Sequence, residues 1–214
     1  MFPGGNTSVG FFSYYDYIIE RDATRIFILK GGPGVGKSTF MTKVGDEMLK
    51  RGYDVEFHHC SSDNDSLDGV CIPAIKVALL DGTAPHIVDP KSPGAVDEII
   101  NLGEFWDEEL LRSHKREILE TEKRISRLFG MAYSLLKEAR VAYEEWSGYI
   151  AESMNMGELN RVRNELNAKV FEGVEPDYSQ APKVRHLFGS AITPGGPRNY
   201  TDTLLDSVMK IYAI

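Results

Sequence analysis

Residues 26–45 read IFILKGGPGVGKSTFMTKVG, and this stretch decides the fold. Just upstream and overlapping it, RIFILK (25–30) is a short apolar run rich in β-branched and aromatic residues and ended by glycines, which predicts a buried strand. Gly31-Gly32-Pro33-Gly34-Val35-Gly36-Lys37-Ser38 then matches the pattern G-x-x-x-x-G-K-S/T in full. Residues 38–51 follow with helical spacing, placing Phe40, Met41, Val44, Met48 and Leu49 on one apolar face.

The order strand, glycine-rich loop, helix has a physical reason. Glycines let the backbone curl with its N–H groups turned inward, and a helix starting there adds the partial positive charge of its N-terminus. In such a loop Lys37 reaches the β- and γ-phosphates of a nucleotide, the Ser38 hydroxyl holds Mg²⁺, and Thr39 reaches the α-phosphate. Partition-type ATPases carry a further lysine directly after the first glycine. That position here is Gly32, and Lys30 precedes Gly31, so the pattern is not of that subgroup.

A phosphate loop needs a carboxylate at the end of a neighbouring strand to complete the Mg²⁺ shell. AIKVALLD (74–81) reads as a buried strand delivering Asp81, although Asp81-Gly82 is also a common turn pair. YDVEFHH (53–59) reads as another strand, running into CSSDNDSLDG (60–69). A calcium loop starting at Asp63 fails, because Leu67 and Asp68 occupy its fifth and sixth positions. A zinc site from His58, Cys60 and Cys71 lacks paired ligand spacing. Loops at the carboxyl ends of parallel strands face the ligand, so Asp63 and Asp65 are expected near the γ-phosphate or its acceptor, with Asp63 orienting the nucleophile. An Asx turn that fastens the loop accounts for them equally well. GTAPHIVDPKSPGAVDEI (82–99) is expected to be an irregular loop, in which His86 and Asp89 either face the site or fasten the loop.

Residues 105–173 predict a helical insertion, with the core formed by 1–104 and 174–214. A heptad-spaced stripe runs through Leu111, His114, Ile118, Thr121, Ile125, Leu128, Ala132, Leu135, Ala139, Ala142, Trp146 and Tyr149. Phe129, Leu136, Tyr143 and Ile150 form a second row, and Gly130 and Gly148 are candidate kinks. Asn155, with Glu158 three residues on, predicts the cap of a shorter returning helix. The expected shape is an antiparallel hairpin whose surplus apolar face packs on the core or mediates self-association. Arg124, Arg127, Arg140, Arg161 and Arg163 fit a solvated face better than a lid over the nucleotide.

The sequence also echoes itself. Thr7-Ser8-Val9-Gly10 followed by YYDYII (14–19) compares with Thr193-Pro194-Gly195-Gly196 followed by YTDTLL (200–205). RIFIL (25–29) then compares with KIYAI (210–214). The echo suggests the first half of a tandem duplication, whereas KIYAI as the last strand of one domain is the simpler alternative. VRHLFGSAIT (184–193) reads as a further strand.

A net charge of −8 argues against general nucleic-acid binding, which needs clustered Lys and Arg. No apolar run is long enough to span a bilayer, and MFPGGNTSVGFFSYYDYIIERD lacks the layout of a signal peptide, so a cytoplasmic protein without membrane partners is expected. Cys60 and Cys71 are then expected as reduced thiols.

LKGGPGVGKST, DVEFHHCSSDNDSLDG, LLDGTAPHIVDP and HLFGSAITP together resemble a family of bacterial proteins with two phosphate-loop halves, found in spore-forming bacteria and labelled ATPase or nucleotide kinase. This chain resembles the first half. The resemblance implies ATP binding and leaves substrate and mechanism open. The expected fold is α/β: a three-layer phosphate-loop (P-loop) NTPase domain with a mainly parallel sheet and an inserted long helical hairpin. The expected function is binding of ATP with Mg²⁺ and slow hydrolysis of the β–γ bond. A nucleotide or small-molecule kinase and a nucleotide-gated interaction module are the alternatives. The absence of an N/T-K-x-D signature favours ATP over GTP.

Overall fold

The structure is a computed structural model that describes residues 1–84, 87–175, 178–179, 181 and 184–204. The chain opens with a hairpin of β1 (Gly4–Thr7) and β2 (Gly10–Ser13) and a 3-10 turn at Tyr15–Tyr17. β3 (Arg25–Lys30) leads through the glycine loop into α1 (Lys37–Lys50). Then come β4 (Glu56–His59), β5 (Leu67–Ile72), β6 (Val77–Asp81) and β7 (Asp97–Asn101). Helices α2 (Glu108–Ser113), α3 (Lys115–Ser153) and α4 (Met156–Val170) precede a hairpin of β8 (Ser190–Thr193) and β9 (Gly196–Asn199), and α5 (Thr201–Leu204) follows.

The central sheet is mixed, with strand order β4-β5-β6-β3-β7. β3 is parallel to both β6 and β7, with Leu29 opposite Asp81 and Lys30 opposite Asn101. β5 runs against both of its neighbours. The carboxyl ends of β3, β4, β6 and β7 therefore share one edge of the sheet, and the glycine loop starts from that edge.

Several strands depart from the sequence expectation. Leu67–Ile72 is a fully buried strand instead of the tail of an acidic loop, Asp97–Asn101 is a strand that begins inside the stretch expected to be irregular, and of the strand expected over 184–193 only Ser190–Thr193 forms. Lys76 adopts a left-handed φ of 54° after a 3-10 turn at Pro73–Ile75, so β6 starts at Val77 and not at Ala74.

Burial of apolar side chains, the main stabilising term in folding, occurs on both faces. On one face α1 packs Met41 against Leu29, Leu67, Val70, Ile72 and Leu79, with Val44 and Met48 beside it. Phe40 and Leu49, expected on this face, are exposed instead. The other face joins Tyr15 and Ile18 to Cys71, Ala78 and Leu80. Among the described residues this second face is covered by the N-terminal segment, with no α-helix over it.

α3 runs unbroken through Gly130 and Gly148, where a Cβ would meet nothing within 4 Å. Only the first part of its second apolar row is sheltered: Phe129 and Leu136 are half-buried, as is Tyr133 between them, α3 contacts β1, and the Tyr133 hydroxyl donates to Asn6 Oδ1, whereas Tyr143 and Ile150 of that row are exposed. Asn155 caps α4, its Oδ1 accepting from the N–H groups of Gly157 and Glu158. However, α4 does not lie back along α3 as an antiparallel hairpin would.

The hairpins of the two echoed segments share a conformation. In each hairpin the threonine hydroxyl donates to the glycine carbonyl three residues on: Thr7 to Gly10, and Thr193 to Gly196. Those glycines have φ of 100° and 98°. The hairpins touch through β1 and β8 and through a Phe2–Phe188 bridge. KIYAI lies outside the described residues.

Candidate functional site

The site is built on the loop between β3 and α1. Gly34 and Gly36 have φ of 81° and 90°, left-handed values that a side chain would strain. They turn the chain abruptly from strand into helix. No side chain caps α1, and its first backbone bond runs from Phe40 N–H to Gly36 O. Among the described residues, the N–H groups of Gly34, Val35, Gly36, Lys37, Ser38 and Thr39 donate to no protein acceptor. This is a row of unsatisfied donors at the positive end of a fourteen-residue helix.

Lys37 lies under this loop. It is 8% exposed, and its ammonium donates to Gly31 O at 2.7 Å and Gly32 O at 3.0 Å. The ammonium is therefore held by loop carbonyls, not lost in the apolar core. Asp81 Oδ2 lies 3.6 Å away, brought there by the parallel pairing of β6 with β3. Asp81 Oδ1 accepts from Thr83 N at 2.8 Å, so this residue both fastens its turn and faces the lysine. The Thr83 hydroxyl in turn donates to Gly31 O at 2.8 Å, linking the β6 turn to the first glycine. Ser38 Oγ accepts from Leu67 N at 3.0 Å, which ties the start of β5 to the start of α1.

The remaining expected residues are more distant or differently used. Pro33 and Thr39 are exposed at the loop surface. Asp63 is in an exposed turn after β4, accepting from Ser66 Oγ at 2.6 Å and from Asp65 N at 3.4 Å, so its carboxylate fastens its own turn. Asp89 pairs with Lys30 at 3.2 Å, and Lys30 also donates to Gly82 O and Val88 O, fastening the loop after β6. His86 lies outside the described residues. No cluster of three or more metal-ligating His, Cys, Asp or Glu occurs among the described residues, so His58, Cys60 and Cys71 do not form one. Both cysteines are free thiols.

Two neighbours of the site were not legible in advance. Trp106 follows the 3-10 turn after β7, and its indole is close enough to Gly32 that a Cβ there would meet Cζ2 at 3.0 Å. Asp68 is buried at the start of β5, one residue past the N–H bonded to Ser38. Burial, joined by the negative charges of Asp81 and Asp63, raises its carboxyl to about 7 against the opposing hydrogen bonds from Tyr15 and Cys60. Its signal, an Asp in a short apolar strand, resembles that of a loop.

A cleft of about 480 Å³ opens elsewhere, on the face away from α1, lined by Tyr15, Ile19, Ile26, Leu80, Val88 and Asp97 among others. Lys37, Ser38 and Asp81 do not line it. No helix among the described residues is long and apolar enough to cross a membrane. Comparison with protein-family models, with curated proteins and with solved structures returns no match.

Proposed function

We propose that this chain is a P-loop NTPase-type domain that binds ATP with Mg²⁺ at residues 31–38 and slowly hydrolyses the β–γ bond. The observation that carries the reading is the row of N–H groups from Gly34 to Thr39 without a protein acceptor, in the same loop whose Gly31 and Gly32 carbonyls hold the Lys37 ammonium. A polyanion threaded along the loop satisfies these donors. Lys37 exchanges its bonds to Gly31 O and Gly32 O for β- and γ-phosphate oxygens, neutralising charge that develops during transfer.

The oxygen ligands Ser38 and Asp81 suit a hard cation such as Mg²⁺ and would hold it, and the ion would supply positive charge to offset that of the phosphates. Ser38 Oγ accepts from Leu67 N, leaving a lone pair and its proton for other partners. Asp81 is oriented by Thr83 N, with its second oxygen turned to the lysine. Asp63 is the candidate to orient the attacking water, by movement of its turn toward the loop.

Binding of ATP to the wild type, to Ser38→Ala and to Asp81→Asn, with and without Mg²⁺, tests this reading. The expected result is a strong Mg²⁺ enhancement of wild-type affinity that both substitutions reduce, with metal-free affinity little changed in Ser38→Ala and raised in Asp81→Asn, which removes a negative charge beside Lys37. Equal Mg²⁺ enhancement in all three proteins would remove the two residues from the metal site.

A further inference from the structure

α3 leaves an apolar seam open. Around Phe129, Tyr133 and Leu136 the helix is sheltered by its contact with β1, and the heptad row beside them faces solvent, with Ile125, Leu128, Leu135, Trp146 and Tyr149 between 48 and 63% exposed. α4 does not cover this row. The row persists beyond the roughly three to four heptads that mark a coiled-coil seam, along a 39-residue helix. We propose that a second copy of this chain covers it, with the two α3 helices antiparallel and centred on each other. This proposal is independent of the nucleotide reading.

Side-chain size sets the orientation. In the centred antiparallel register Ala132 faces Leu135 of the second copy, Ala139 faces Leu128, Ala142 faces Ile125, and Thr121 faces Trp146. Every small residue meets a large one, the arrangement that fills a helical seam without voids. A parallel, in-register pair would set Ala132, Ala139 and Ala142 against their own copies and leave gaps.

Charge points the same way. Residues 115–134 carry Lys115, Arg116, Lys123, Arg124 and Arg127 against three glutamates, a net +2. Residues 135–153 carry Lys137 and Arg140 against four glutamates, a net −2. Antiparallel pairing lays the basic half of one helix on the acidic half of the other. At the flanking positions Arg124 meets Glu145 of the second copy. Glu117 and Glu152 meet as like charges near the ends, where solvent and salt screen them.

Sedimentation of the full chain over a wide concentration range tests the proposal. A dimer is expected for the wild type. Leu135→Glu, at a 63% exposed position, should give a monomer with an unchanged thermal transition at matched low concentration. Arg124→Glu and Glu145→Arg should each weaken the dimer by about tenfold, because each breaks two symmetric pairs. The double variant should restore wild-type affinity. A wild type that stays monomeric throughout overturns the dimer. Single reversals without effect, or a double variant no better than the singles, overturn the antiparallel register.

Discussion

Replacing Lys37 by methionine separates the structural role of this side chain from the nucleotide-binding role proposed for it. Methionine keeps the length and apolar stem and removes the charge and its three donors. Without nucleotide, the change deletes the bonds to Gly31 O and Gly32 O and leaves Asp81 without its neighbour at 3.6 Å. Hydrogen bonds from a charged donor contribute roughly 1.5–3 kcal/mol. Gly31 O keeps the Thr83 hydroxyl as a donor, and the variant no longer buries an ammonium, which offsets much of the loss. The expected destabilisation is therefore about 1 kcal/mol. With nucleotide, a lysine about 4 Å from a phosphate charge contributes about 4 kcal/mol at an effective dielectric of 20. Giving up its loop carbonyls and Asp81 leaves a net of about 3 kcal/mol, or roughly a hundredfold in affinity. Urea unfolding reads the first quantity and equilibrium binding of Mg·ATP the second. A variant that unfolds much more easily yet binds ATP within threefold of wild type would make Lys37 a structural lysine and refute the reasoning.

Other perturbations give distinct readouts. Trp106 adjoins Gly32 whereas Trp146 is on the exposed seam of α3, so in a Trp146→Phe background Mg·ATP should change the tryptophan fluorescence; an unchanged spectrum at saturation would separate Trp106 from the ligand. Asp68 holds its proton to about 7 in the folded state, against 3.8 as its ordinary value, so its contribution to stability is present at low pH and lost as pH rises from 3.8 to 7. Asp68→Asn should therefore gain stability relative to wild type across that window, by at most on the order of 4 kcal/mol, and urea midpoints at pH 4 and pH 8 that differ equally for the two proteins would contradict this. Glu56 is held down to about 2: burial opposes this, and the two-pronged Arg185 bond together with His58 outweighs it. Its stabilisation is present above pH 4.5 and lost toward pH 2, and Arg185→Ala should flatten that acid loss in a pH-dependent melt. Gly45→Val should destabilise by about 1–3 kcal/mol in chemical unfolding, since a Cβ there meets Phe57 Cε1 at 2.6 Å.

The sequence was most legible where one local rule acted alone. RIFILK is β3 residue for residue, the helix begins within one position of its expected start, and Asn155 caps α4 through the expected N–H groups. β5 was hidden because Asp68 and Gly69 interrupt its apolar run, and their places in a strand depend on tertiary neighbours such as Tyr15. β7 was hidden by the prolines and glycines before it, and as an edge strand it has little apolar signal of its own, with Glu98 and Ile99 exposed. For the long helix, heptad spacing marked two rows. Spacing alone does not say which row meets the core: Phe129 and Leu136 do, and the longer row remains open. The loop residues of the site were readable as a contiguous motif. Trp106, Thr83 and Asp68 were not, because they reach it from three different strand ends.

The most direct measurement is isothermal calorimetry of the wild-type chain with ATP in the presence and absence of Mg²⁺, with AMP as the control. The account predicts one site per chain, tighter binding with the metal, and no measurable binding of AMP, because the grip is on the phosphate chain. Absence of ATP binding at millimolar concentration, or AMP binding as tightly as ATP, would contradict it.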